Sequence, residues 1–311
     1  MPNNVQSYGS TAQYKVDADI EDAAIVVGNG DKGYTFNYTD LQYPGSEQTI
    51  ASGLNNTGDV VGYYNVAGNL SVGLGFEYDT ATGTFTQISY PGATTTEPLG
   101  INDAGVMVGI WNNTSTGGAF MYSGGTFSDL PSEPASGCTL CTLPFSINDD
   151  NQISGYYIDS SGNHHGFLFN AGVYTTNDYP GSGNWDELYG LNGLLHASGC
   201  YGLAPGACYG GYYYDGGTSA LPYQTFFWTP QLNTAGHAIN NDDRITGEYE
   251  DQNGYMHGLY YSFGIFYSID DPNGSQTFAY GINDSGQIAG YYAPSSMSPT
   301  TPSFIATPVI Q

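Results

Sequence analysis

Apolar and polar residues alternate along this chain in short runs of strand length, and polar turns that carry glycine separate the runs. This is the pattern of half-buried β-strands, not the three-to-four-residue spacing of an amphipathic helix. The pattern also recurs at long range. Gly53-Leu-Asn-Asn-Thr-Gly-Asp-Val-Val-Gly-Tyr-Tyr64 aligns with Gly281-Ile-Asn-Asp-Ser-Gly-Gln-Ile-Ala-Gly-Tyr-Tyr292, and further copies start at Gly100, Ser146, Gly190 and Ala238. An asparagine anchors each copy (Asn55, Asn102, Asn148, Asn192, Asn240, Asn283), at spacings of 47, 46, 44, 48 and 43 residues. Seven residues after each asparagine stands a glycine, and two further on an aromatic residue: Tyr64, Trp111, Tyr157, Tyr201, Tyr249 or Tyr292.

Within a copy, a strand A runs into the asparagine and a strand B leaves it. The turn between them supplies side-chain acceptors and a left-handed position, which is hairpin chemistry. A third segment, C, follows at 75–78, 166–169 and 258–261, then a fourth, D, ending in Tyr-Pro-Gly at 90–92 and 179–181. Four antiparallel strands every 43 to 48 residues predict the blade of a propeller. The last copy stops after a C-like segment at 303–306, while the regular pattern begins with a D-like segment at 38–45, so each end supplies what the other lacks. The expected fold is therefore all-β: a single six-bladed β-propeller of four-stranded antiparallel blades over 33–311, closed by N- and C-terminal strands. Residues 1–32 form an N-terminal extension or an extra edge strand, and 33–36 resemble one further C strand. A solenoid is the rival architecture, but its two end repeats would both be atypical.

The run Gly-Ile-Asn-Asp-x-Gly-x-Ile-x-Gly-Tyr-Tyr, followed by His165-Gly166-Phe167-Leu168 and then by Tyr-Pro-Gly, resembles the bacterial extracellular HAF repeats over roughly 33–306. The resemblance implies an exported repeat protein. It implies no reaction and no catalytic set.

Charge narrows the function. The chain has 29 Asp plus Glu against 3 Lys plus Arg, a net charge of -26. With only Lys15, Lys32 and Arg244 as bases, neither nucleic acid nor an anionic membrane finds a counter-charge. No apolar run is long enough to span a bilayer, so no membrane insertion is expected. The N-terminus lacks the basic, apolar, small-residue layout of a secretory signal, so a mature form is expected. The four cysteines read as two local disulfides, Cys138–Cys141 and Cys200–Cys208, with a zinc site joining the pairs or free thiols as the alternatives. Disulfides place the protein outside the cell or at its surface. No cofactor is expected; so acidic a chain leaves room for isolated structural calcium, but no metal-binding spacing stands out.

Strand direction puts the short A–B and C–D turns on one face and the B–C and D–A connections on the other. The second face holds the length variation, at 131–145, 202–210 and 293–302, and is the expected functional face. Three positions before each anchoring asparagine stand Ser52, Leu99, Phe145, Tyr189, His237 and Tyr280, which this scheme places at the channel mouth on that face. The candidate ligand-binding residues are Trp185, Tyr189, His237, Tyr280, Phe145 and His164; axial packing is the competing reading. His165 and His257 share one repeat position and read as structural, and His196 reads as an exposed turn residue. Aromatic faces with Asn and Asp but almost no cations suit an extracellular binding or adhesion module for neutral glycans or another cell-surface ligand, because acidic sugars call for Arg or Lys. One alternative is a secreted hydrolase or lyase acting on an uncharged substrate through His237, Glu187, Asp186, Tyr189 and Tyr280. Another is a surface or fibre subunit that self-associates through 1–32.

Overall fold

The computed structural model describes residues 35–309 except 67, 139–140, 205, 207, 221, 228–232, 263 and 295–299, together with the backbone of 13–17 and 24–26. Among the described residues every regular element is a strand and none is a helix. The first three are β1 (Gln13–Asp17), β2 (Ala24–Val26) and β3 (Thr35–Leu41). Antiparallel sets then follow in chain order. They are β4 (Ser46–Leu54), β5 (Asp59–Val66), β6 (Asn69–Asp79) and β7 (Thr84–Ile88), then β8 (Thr95–Ile101), β9 (Met107–Asn112), β10 (Gly117–Ser123) and β11 (Thr126–Leu130). Next come β12 (Thr142–Ile147), β13 (Ile153–Ile158), β14 (His164–Asn170) and β15 (Val173–Thr176), and β16 (Trp185–Leu191), β17 (Ala197–Gly202), β18 (Gly210–Tyr214) and β19 (Tyr223–Phe226). Last are β20 (Thr234–Ile239), β21 (Ile245–Glu250), β22 (Met256–Ser262) and β23 (Ile265–Ile269), then β24 (Gly274–Ile282), β25 (Ile288–Pro294) and β26 (Ser303–Val309).

The last set has three strands of its own. Its fourth is β3, which pairs with β26 from Ser303 opposite Leu41 to Val309 opposite Thr35. Thr35 and Phe36 thus begin that same strand, and the extra C strand expected at 33–36 does not form over them. One parallel pair, His164 with Trp185, fuses two neighbouring sets into an eight-stranded sheet, and β1 with β2 extends another at β23. The result is a propeller-like arrangement of four-stranded antiparallel sheets. Its cores lie between facing sheets: Val106, Val108 and Leu130 of one pack with Ile147, Ile153 and Phe167 of the next.

The repeated asparagines explain the geometry at the axis. Each accepts, on Oδ1, the backbone N–H four residues on, at 2.8 to 3.0 Å, which fixes its own turn. Each donates, through Nδ2, to the backbone carbonyl of the next anchoring asparagine, at 2.9 to 3.2 Å, and Asn283 donates back to Asn55. One buried amide therefore satisfies a turn and a neighbouring sheet together, a double duty that Asp or Ser cannot perform. The left-handed position of these turns falls three residues after the asparagine and is taken even by Asn151, Leu195 and Asp243. Close approach accounts for the glycine column: a Cβ on Gly62 would stand 2.0 Å from the Ile50 carbonyl oxygen.

Both local disulfides, Cys138–Cys141 and Cys200–Cys208, are formed. No helix of the described residues is long and apolar enough to cross a membrane.

Candidate functional site

The innermost strand of every set carries a β-bulge at one place. Pairing slips between Ala51 and Gly53, Pro98 and Gly100, Pro144 and Ser146, Leu188 and Gly190, Gly236 and Ala238, and Ala279 and Gly281. The skipped residues are Ser52, Leu99, Phe145, Tyr189, His237 and Tyr280. A bulge takes one residue out of the ladder and re-aims its side chain, and all six line a central cavity of about 370 Å³. Tyr63 and Glu248 line it as well, and Asn56, Asp103, Asp149, Gly193, Asn241 and Asp284 line its other end.

That other end is the exposed rim, built from the residues that follow the anchoring asparagines. Asn56 N donates to Asp103 Oδ1 at 2.8 Å and Asp103 N to Asp149 Oδ1 at 2.9 Å. Gly193 N donates to Asn241 Oδ1 at 2.8 Å, Asn241 N to Asp284 Oδ1 at 2.9 Å, and Asp284 N to Asn56 Oδ1 at 2.7 Å. From 149 to 193 the belt has no such link, since Gly193 offers no side-chain acceptor.

The expected location of the site is thereby corrected. Phe145, Tyr189, His237 and Tyr280 do not stand at a channel mouth on the long-loop face; they form the deep wall of a cavity whose exposed rim lies on the A–B turn side. The bulge turns them toward the axis, where neighbouring rings cover them. They do form one arc: ring centroids are 5.0 Å apart for Phe145 and Tyr189, 4.9 Å for Tyr189 and His237, and 4.6 Å for the stacked His237 and Tyr280. Tyr156 links this arc to His164 at 4.9 Å, and His164 stacks on Trp185 at 3.6 Å. All six candidate binding residues thus belong to one train of rings. Trp185, however, has a face covered by His164, and its indole N–H finds no acceptor among the described residues.

The two adjacent carboxylates point opposite ways, as alternation along a strand requires. Asp186 turns into the sheet and accepts from Tyr179 N at 2.8 Å and Tyr212 Oη at 2.9 Å; burial pushes its pKa up to about 8. Glu187 turns the other way, bonded to His164 Nδ1 at 2.7 Å and to the Tyr189 hydroxyl. The sulfurs of Cys200 and Cys208 lie 3.7 and 3.8 Å from Glu187 Oε2, the one group among the described residues with metal-ligand spacing, but the two sulfurs are bonded to each other. His165 and His257 stack on Tyr157 and Tyr249 and are each held between two aspartates. His196, read as exposed, is instead bonded to Asp243 at 2.7 Å and Tyr213 at 2.9 Å.

Glu248 is the residue that sequence reasoning missed. It occupies the repeat column otherwise filled by Tyr63, Ile110, Tyr156, Cys200 and Tyr291, so an acid in an apolar and aromatic column was the available signal. Its carboxylate accepts no hydrogen bond among the described residues; His237 Nε2 stands 3.9 Å from Oε1. Burial raises the Glu248 pKa to about 7 and lowers that of His237 to about 3. Burial, with the nearby carboxylates, holds the Tyr189 and Tyr280 hydroxyls far above their ordinary range. The cavity is thus a neutral imidazole, phenolic and aliphatic surfaces, and one carboxyl group without a partner.

No protein-family model and no curated protein matches this sequence. Among solved structures, the chain is similar to the SapL1 lectin in complex with alpha methyl fucoside, at 10% identity, 85% of this chain, 95% of that chain and a TM-score of 0.49. A mutant of AofleA from Arthrobotrys oligospora gives 11%, 80%, 76% and 0.43, and YCF48 bound to D1 peptide gives 11%, 87%, 94% and 0.45. At that level of overlap, the propeller-like fold rests on the strand pairing itself.

Proposed function

We propose that this chain is a six-bladed β-propeller that acts outside the cell as a binding module for non-acidic glycans, taking its ligand in the central cavity. The six-blade count and the closed ring are supported by the asparagine circle, which returns from Asn283 to Asn55. The observation that carries the binding role is the cavity of about 370 Å³, walled by Tyr63, Phe145, Tyr189, His237 and Tyr280, rimmed by Asn and Asp, and lined by no Lys or Arg among the described residues. Its volume falls in the range of small-molecule sites. Aromatic faces take the C–H surface of a sugar ring, and the polar rim takes hydroxyls. Two of the carboxylates that hydrolysis or elimination would call on are committed elsewhere, Asp186 sealed in its sheet and Glu187 paired with His164 and the Tyr189 hydroxyl, which supports binding over catalysis. The two disulfides and the HAF-like repeats support an extracellular location.

A glycan array followed by calorimetry on the hits tests this reading, with Ser52→Trp as the blocking variant. Ser52 lines the cavity together with the rings, and a tryptophan there fills the space the ligand needs. Binding should disappear in Ser52→Trp while the thermal unfolding midpoint holds. Unchanged affinity in that variant would place the ligand outside the cavity, and an array without binders at millimolar sensitivity would remove the glycan.

A further inference from the structure

We propose that the sugar bound in the cavity carries a protonated primary amine, which the Glu248 carboxylate receives among the rings of Tyr280, Tyr189 and His237. This narrows the glycan reading and rests on it. The argument starts from charge balance. Glu248 lines the cavity with its side chain only 21% exposed, and no described group donates to its carboxylate. His237, whose Nε2 stands 3.9 Å from the carboxylate, remains neutral and cannot balance the charge. Glu187, the other carboxylate beside Tyr189, is already served by His164 and the tyrosine hydroxyl. Among the described residues no Lys or Arg lines the cavity.

A carboxylate in such a place needs a partner, because leaving it charged and unpaired costs several kcal/mol. Sugar hydroxyls would hydrogen-bond to it and leave the charge uncompensated; an ammonium compensates the charge and donates up to three bonds. The surrounding rings add attraction, since aromatic faces carry negative potential. Along the way in, Asp103, Asp149 and Asp284 stand at the rim of a chain whose net charge is -26, a field that concentrates cations and repels acidic sugars. Orphan carboxylate, aromatic wall and acidic entrance therefore select the same ligand: a glycan with free amino groups, such as de-N-acetylated glucosamine oligomers.

The test is calorimetric titration of the intact protein with three ligands of equal length: glucosamine oligomers with free amines, their N-acetylated counterparts, and glucose oligomers with hydroxyl at that position. Choline chloride serves as a cation without a sugar. The free-amine oligomer should bind about tenfold or more tightly than the other two. Glu248→Gln, which keeps shape and removes charge, should bring the three oligomers to within about twofold of one another. Affinity for the amine ligand should also fall as pH drops below 7, where Glu248 takes up a proton and no longer balances the ammonium. Equal affinities in the wild-type protein would overturn the amine assignment and leave the glycan reading standing. Choline binding that depends on Glu248, with no oligomer bound, would overturn the glycan reading itself. An amine preference that survives Glu248→Gln would place recognition elsewhere and overturn the proposal.

Discussion

Replacing Glu248 with glutamine should stabilise the free protein, and only above mildly acidic pH. Burial raises the Glu248 pKa from 4.5 to about 7. Between those two values the native protein holds a proton that the unfolded chain has already released, so stability falls as pH rises from 4.5 through 7. The rise is worth about 3 kcal/mol, at roughly 1.4 kcal/mol per factor of ten, and the whole penalty is present above pH 7. Glutamine does not titrate and avoids it. Other groups contribute equally to both proteins, so the difference between variant and wild type isolates this one residue. Urea unfolding at pH values from 4 to 8 should show Glu248→Gln gaining about 3 kcal/mol relative to its own pH 4 baseline, with most of the gain between pH 5 and 7. A difference that stays flat with pH would show that Glu248 ionises as an ordinary surface carboxylate. That result would also remove the premise that its charge lacks a partner.

His237 should show the opposite slope. Its pKa is lowered from 6.5 to about 3, so the unfolded chain takes up a proton first as pH falls. Wild-type stability should therefore drop by about 4 kcal/mol between pH 6.5 and 3, and His237→Gln should lose that part of the slope in the same unfolding series. At the axis, Asn148→Asp should cost more than Asn148→Ala. The aspartate keeps the acceptor for the backbone N–H of Gln152 but sets a carboxylate oxygen against the Asn192 carbonyl and Gln152 Oε1, in place of donors at 3.1 and 2.8 Å. The expected loss is about 3 kcal/mol by thermal unfolding. An aspartate variant no worse than the alanine one would mean that the amide is not the donor between sheets.

Much of the architecture is legible along the chain because the interactions that set it are local or repeated. A turn closed by an asparagine side chain, a left-handed residue three positions later and a glycine beneath a carbonyl oxygen leave the same mark in every copy. The complementary ends, β26 and β3, are readable for the same reason, since each is a recognisable piece of an otherwise complete unit. The local disulfides follow from short spacing. The candidate rings were findable as a column, and they do meet.

Where that column points was not legible. One skipped residue in a ladder reverses the direction of a side chain, and nothing in the sequence of strand A marks Tyr189 or His237 as the skipped one. Nor does spacing along the chain tell which end of a channel is covered, which is why the rings expected at a mouth became a deep wall. Asp186 and Glu187, side by side in sequence, separate into two environments through strand alternation and the different partners that two packed sheets present. Glu248 shows the limit most plainly. The sequence by itself determined that an acid stands in an apolar and aromatic column; only tertiary structure decided that its one basic neighbour among the described residues is a buried, neutral imidazole, because charge balance is settled by the groups that six distant stretches of chain bring to one axis.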